Sequence, residues 1–363
     1  MTLVAAERDV SKRSDRFGHI RVQVTGLLAF LSSHVMQTED GETFCSAYDL
    51  SDSKVAYIGD KPLQRFHQML NRVREEPDKA RFLLSRALWV TGLCRFITFG
   101  FPAGYRMRFY PSSMSAGLWR RRSLRSEDAD FVGAYLRPGE TFVDVGANVG
   151  QLSLAAAMSV TRSGRVIAIE AHPRTCKYLQ GNVRLNDLTI EIHNTAIGST
   201  HGELFFTDFR SDDMNFASAT PLPGSATLRV PVHTLDSVVG DRPVDLLKVD
   251  VEGFEVDLLK GAARTIANCR CLYIEDSELN LRRAGTSRAE LYDRLISHGF
   301  ALFHLRAGKL EPASPHVPGP DDDNMIAVNA SNLPDLLTRT GLQLAQTPSL
   351  SSAVSHAPSA RLA

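Results

Sequence analysis

Thr141-Phe142-Val143-Asp144-Val145-Gly146-Ala147-Asn148-Val149-Gly150 is the stretch on which the fold turns. A β-branched and aromatic run climbs to an acid, breaks at a glycine, and passes into Gln151-Leu152-Ser153-Leu154-Ala155-Ala156-Ala157-Met158, which has a helical pattern. Strand, tight turn and helix in this order make one end of an open α/β sheet, the carboxyl edge where such sheets hold ligands. Gly146 supplies backbone angles closed to other residues, and Gly150 lets the first helical turn lie close to the strand or a bound nucleotide.

The glycine spacing is G-x-N-x-G, not the G-x-G-x-x-G that seats a pyrophosphate at a helix N-terminus. Asp144 just before the turn suits a cationic ligand better than a phosphate. Twenty residues beyond Gly150, Glu170 closes the run Arg165-Val166-Ile167-Ala168-Ile169. An acid ending the second strand of such a unit is placed to accept both hydroxyls of a ribose. The pair predicts a nucleoside cofactor without a diphosphate. S-adenosylmethionine fits that description, and the glycine spacing disfavours NAD.

The chain has 363 residues, 43% hydrophobic and 23% charged, with a formal net charge of zero. That is ordinary globular composition, and the balance argues against a general nucleic-acid binder. The zero hides an asymmetry: residues 1–125 hold 20 Lys/Arg against 12 Asp/Glu, and residues 126–363 hold 21 against 29. Five cysteines, with no metal-type C-x-x-C pair, read as reduced thiols. No targeting or membrane-spanning segment stands out, so a cytoplasmic protein is expected.

Three regions are expected. Residues 1–125 form a basic, mainly helical extension, with helices over Val22 to Met36, from Pro62 to about Glu76, and from Asp78 to Ile97. Arginines alternating there with Trp89, Phe96, Phe99 and Phe101 suggest a packed lobe, a lid over the substrate or a peripheral contact with an anionic membrane. Residues 126–330 form the organised domain, with Ser126 as a helix cap. In it, Glu203 to Phe209 and Thr227 to Val232 are strands flanking a polar loop, Arg210 to Gly224, at the rim of the substrate site. Residues 331–363 are expected to be a largely disordered tail with one short amphipathic turn.

Val244-Asp245-Leu246-Leu247-Lys248-Val249-Asp250-Val251-Glu252-Gly253 is the second centre. Its apolar run ends in Asp250 and Glu252, where parallel sheets expose their sites. Glu255 and Asp257 read as acids on the surface of the following helix. A further strand, Cys271 to Ile274, ends in Glu275-Asp276, so four strands carry acids at one edge. That row is more specific than any single acid.

At this point the sequence resembles the FkbM family of S-adenosylmethionine-dependent methyltransferases. The likeness rests on Phe142 to Gly150, Ile169-Glu170-Ala171-His172-Pro173, Asn194-Thr195-Ala196-Ile197-Gly198, Thr234-Leu235-Asp236, Asp245 to Gly253 with Gly261, and Ile274-Glu275, in order. It implies a seven-stranded, Rossmann-like, mostly parallel methyltransferase sheet with its last strand antiparallel. It also implies O-methylation of a hydroxyl on a sugar, glycolipid or secondary metabolite. Position by position, Asp144, Gly146, Asn148 and Gly150 would hold the methionine end of S-adenosylmethionine, Glu170 its ribose, and Asn194 to Ala196 the adenine side. Asp250 and Glu252 would face the methyl group and a small-molecule or glycan acceptor. Ala171-His172 and Trp119 to Ser123 depart from the family's usual pattern.

Methyl transfer from a sulfonium needs alignment above all, and a carboxylate to take the hydroxyl proton. Asp250 is expected to be that base, or to hold a divalent metal such as Mg²⁺ with Glu252. His172, His193 and His233 are alternative bases. A rival of another class is a methyltransferase-like nucleoside-binding adaptor without catalysis.

Overall fold

The structure is a computed structural model that describes residues 73, 74, 76–208, 227–314 and 323–345, with the backbone of the two-residue strands Phe44–Cys45, Ile58–Gly59 and Ala217–Ser218. The helix expected over Val22 to Met36, most of the one from Pro62, the loop Arg210 to Gly224 apart from the backbone of Ala217–Ser218, and the tail from Thr347 lie outside the described residues. Two compact units emerge: residues 1–100, 107–124 and 210–213, and residues 101–106, 125–209 and 214–363.

In the first unit, the helix Lys79–Val90 starts where Asp78 accepts a hydrogen bond from the Arg81 amide at 2.9 Å. It stops short of the expected Ile97 because Gly92 takes a left-handed conformation, φ 71°, and the chain turns into the short 3₁₀ helix Leu93–Phe96. A second helix, Ser113–Arg120, is capped by Ser112. Phe82, Phe99, Phe109 and Leu118 are buried, whereas of the other aromatics in the expected pattern Trp89 and Phe101 are half-buried and Phe96 is exposed.

The second unit is built on a nine-stranded sheet. Its strands are β1 (Thr141–Val145), β2 (Arg165–Ile169), β3 (Glu191–His193), β4 (Val244–Val249), β5 (Cys269–Asp276), β6 (Phe300–Arg306), β7 (Lys309–Pro312), β8 (Asp323–Asn329) and β9 (Gln343–Leu344). The spatial order is β3-β2-β1-β4-β5-β8-β6-β7-β9. The block from β3 to β5 is parallel, and β8 runs antiparallel to both β5 and β6. The first seven strands of that order are the mostly parallel, Rossmann-like sheet implied by the resemblance. β7 and β9 widen its far edge.

Helices cover both faces, so the central strands are apolar on both sides. The helices include α1 (Ser126–Tyr135), α2 (Gln151–Val160), α3 (Pro173–Leu185), α4 (Glu255–Lys260), α5 (Glu278–Arg283), α6 (Arg288–Ser297) and α7 (Leu333–Thr340), with two five-residue helices, Leu235–Val239 and Ala263–Ala267, besides. Phe142 and Leu246 pack with Val132, Leu152 and Leu336 on one face; Val143, Val145 and Leu247 pack with Val256, Leu281 and Leu291 on the other. A smaller sheet joins Ala196–Ile197, Gly202–Thr207, Ala217–Ser218 and Thr227–His233.

Two expectations change. Ser126 does not cap α1: Arg125 occupies the cap position in a left-handed conformation, φ 54°, with no side-chain cap bond, and Ser126 is the first helical residue. The boundary expected at residue 330 falls inside the unit. Leu336 of α7 is fully buried against the sheet, Arg339 bonds Glu140 at 2.6 Å, and β9 pairs with β7. The apolar face of Leu333, Leu336 and Leu337 covers core that a free tail would leave wet.

Candidate functional site

The ends of β1, β2 and β4 are drawn together by backbone bonds. The Gly146 and Ala147 amides both donate to the Ile169 carbonyl at 3.0 Å, and the Asp250 amide donates to the Val145 carbonyl at 3.0 Å. Gly146 has φ 82°, and a Cβ built there would overlap the carbonyl oxygen of Asp250. Only glycine permits both the angle and the approach. Asn148 follows at φ 49° and its amide donates to Glu170 Oε2 at 2.8 Å. The other carboxylate oxygen of Glu170 accepts from the His172 amide at 2.9 Å. Each carboxylate oxygen has two lone pairs, so Glu170 keeps acceptor capacity after these two bonds. The Asn148 side-chain oxygen is buried with no hydrogen-bond partner among the described residues.

A charged row lies beneath this edge. Lys248 on β4 is in register with Asp144 on β1 and with Tyr273 on β5. It is 1% exposed, and its ammonium donates to Asn324 Oδ1 at 2.9 Å and lies 3.4 Å from Asp250 Oδ2. Arg125 donates to the same Asp250 oxygen at 2.7 Å and sits 3.3 Å from Asp128, which accepts from the Tyr273 hydroxyl at 2.6 Å. Burial opposes the charge on Asp250, but Lys248 and Arg125 outweigh it and hold this carboxyl below its usual range. Asp144 is 2% exposed and accepts from Ser153 of α2 at 2.5 Å. Burial pushes its carboxyl up to about 6, against the pull of Ser153 and Lys248.

Glu252 is exposed, at φ 54°, and accepts from Asn280 Nδ2 at 2.9 Å. Glu275, near the end of β5, completes a trio with Asp250 and Glu252, one oxygen from each lying within 4.8 Å of the others. Burial, and then the neighbouring charges of Asp250 and Glu252, push the Glu275 carboxyl up to about 9. Its Oε2 is buried with no hydrogen-bond partner among the described residues. Glu255 is not the surface acid expected: it is 1% exposed, and its Oε1 accepts from the Val251 and Gly253 amides at 3.3 and 3.2 Å. Burial pushes it up to about 7.

Thus Asp144, Gly146, Asn148, Gly150, Glu170, Asp250 and Glu252 all lie at the carboxyl ends of β1, β2 and β4, with Asp144 turned under the edge toward α2. Asn194 ties β3 to β2, its amide donating to the Glu170 and Ala171 carbonyls at 2.8 and 2.9 Å. Ala196 is 7% exposed and packs with Val230 and Val232 in the smaller sheet, apart from the charged groups. His193 pairs with Glu191 at 2.8 Å, His172 lies 3.5 Å from Asp208, and His233 meets His201 edge-on. Sequence reasoning gave no role to Arg125 or Lys248. A lysine inside an otherwise apolar strand was the signal for the second, because a buried ammonium demands partners. Arg125 carries no such signal.

Residues 144–302 match the family model for the Methyltransferase FkbM domain. Methyltransferase 1 of Beauveria bassiana is 28% identical over 148 residues, 34% of this chain and 59% of that protein. The hexuronic acid methyltransferase AglP of Haloferax volcanii is 26% identical over 199 residues, 51% of this chain and 76% of that protein. The chain therefore spans less than two thirds of the first of these relatives. Among solved structures, a SAM-dependent O-methyltransferase of Thermotoga maritima is 13% identical, with 56% of this chain and 66% of that one covered and a TM-score of 0.33. Aeropyrum pernix fibrillarin, solved with bound S-adenosyl-L-methionine, is 12% identical, with 56% and 74% covered and a TM-score of 0.34. From Asp144 to Leu302, less than half of its length, the chain is similar to the Methyltransferase FkbM domain.

Proposed function

We propose that the protein transfers a methyl group from S-adenosylmethionine to a hydroxyl oxygen of a sugar, and that a glycan bearing a hexuronic acid is the acceptor class to test first. The observation that carries this reading is the convergence of Gly146, Glu170 and Asp250 at one sheet edge. A sulfonium nucleoside needs acceptors for ribose hydroxyls, an acceptor for an ammonium, and negative charge near its cationic centre. Glu170 retains acceptor capacity, the Asn148 side-chain oxygen is an unsatisfied acceptor, and Asp250 is held ionised. The residues present fit the group. The acceptor class rests on the name of the Haloferax volcanii relative.

S-adenosylmethionine supplies an electrophilic methyl group. Alignment of acceptor and donor can contribute about 7 to 11 kcal/mol to such a displacement. Lys248 and Arg125 fix the Asp250 carboxylate in place, where it orients the acceptor hydroxyl and takes up its proton as the new bond forms. Glu252, bonded to Asn280, lines the same edge. A second reading is favoured by the approach of Glu275 to Asp250 and Glu252: the three carboxylates hold a divalent cation, since hard oxygen ligands suit Mg²⁺. Loss of turnover on exhaustive chelation selects that version, and undiminished turnover excludes it.

The test pairs calorimetric titration of S-adenosylhomocysteine and NAD with transfer of labelled methyl from S-adenosylmethionine to uronic-acid glycans. Binding of the first nucleoside alone, with transfer, is expected. Binding without transfer to any glycan or crude extract favours the adaptor role. Asp250→Asn is expected to lower turnover by roughly 10² to 10⁴ while S-adenosylhomocysteine still binds.

A further inference from the structure

The first unit holds a surface that the proposed reaction does not use. Residues 79–100 and 107–124 contain eight Lys/Arg and no Asp/Glu. Within this stretch Phe96 is 73% exposed, Leu93 53% and Leu84 51%. These are large apolar side chains in water, while Phe82, Phe99 and Phe109 nearby in sequence are buried. Leu84 lies mid-way along Lys79–Val90, and Leu93 and Phe96 lie in the short helix Leu93–Phe96 that follows the turn at Gly92. Cations accompany this stretch: the Arg95 guanidinium lies 5.3 Å from the Phe96 ring and that of Arg86 5.4 Å from the Trp89 ring. Arg95, Arg121 and Lys79 are themselves exposed.

We propose that this basic and apolar face of the first unit docks on the surface of an anionic phospholipid bilayer. A surface that pairs exposed Phe and Leu with exposed Lys and Arg is the chemistry that recognises such a bilayer, the rings entering the headgroup boundary and the cations meeting lipid phosphates. Among the described residues no helix is long and apolar enough to cross a membrane, so the contact is peripheral. A second copy of the chain is a poor occupant, because it would bring the same unbalanced positive charge to the interface. Residues 1–72 are a poor one too: their nine Lys/Arg and nine Asp/Glu leave no net acidity to offer.

The test is sedimentation of the full chain with phosphatidylglycerol vesicles and with phosphatidylcholine vesicles, at low and high salt. Binding to the first, weakened by salt, is expected. The pair Leu93→Glu and Phe96→Glu should lower that binding on the order of tenfold or more, and each of Arg95→Glu and Arg121→Glu by at least roughly fivefold. Phe96→Ala, a milder change at an exposed site, keeps the test valid should the glutamates disturb folding, which thermal melts report. Equal binding to both lipids, no binding, wild-type binding by the variants, or dimerisation that the glutamates abolish would each overturn the proposal.

Discussion

Gly146 stands where two strand ends meet, and nothing larger fits there without moving one of them. Its φ of 82° and the overlap that a Cβ would make with the Asp250 carbonyl predict that Gly146→Ala costs roughly 1 to 3 kcal/mol. Urea unfolding measures that cost. S-adenosylhomocysteine affinity should fall with it, because the turn and Asp250 shift together. Glu275 makes a different prediction, in pH. An ordinary glutamate releases its proton near 4.5, whereas this one keeps it up to about 9 in the folded chain. The unfolded chain therefore loses the proton first. The residue's contribution to stability is complete below pH 4.5 and drains away as the pH rises through 9. Glu275→Gln removes that drain. The variant should exceed its parent by about 1 kcal/mol or more around pH 8 and lose this advantage toward the acid end, in denaturant titrations at several pH values.

At the scale of elements, α7 tests how far the second unit extends. Leu336 is fully buried against the sheet, and Asp335 and Arg339 bond Arg270 and Glu140 at 2.7 and 2.6 Å. Leu336→Ala should cost about 2 to 5 kcal/mol, measured by urea unfolding, whereas a residue in a free tail would cost nothing. This helix was hard to read because it is eight residues long with Pro334 in its first turn and a polar stretch beyond it, a pattern shared with a turn. The central strands were legible for the opposite reason. β1 and β4 are buried on both faces, so each reads as an apolar run that breaks at an acid and a glycine. Their helices follow from the change of period. Pairings between distant residues leave no local trace: Arg125 meets Asp250 across 125 positions, and Glu255 looks like any first-turn acid until the turn's amides close on it. Asp144, Glu170 and Asp250 could be placed at a strand end from sequence, but the pairing of Arg125 and Lys248 with Asp250 could not.

For the whole molecule, the question is whether the folded chain has a ligand that its unfolded form lacks. A ligand that binds the native state alone stabilises it by RT ln(1 + [L]/Kd), about 2.7 kcal/mol at roughly a hundred times Kd. For a folded unit of roughly 150 to 250 residues, that corresponds to a rise in Tm of about 5 to 10 °C. S-adenosylhomocysteine should produce this rise. NAD should produce none, because its diphosphate would meet Asp250 and Glu252 at the strand ends beside the G-x-N-x-G turn, with no glycine-lined seat to offset the repulsion. Melting curves with each nucleoside, read beside Gly146→Ala, separate two causes of failure. A shift lost only in the variant places the nucleoside at the β1 turn; a shift of equal size in both moves it elsewhere on the chain. An equal response of the parent to NAD would mean that the acids at this edge do not select against phosphate.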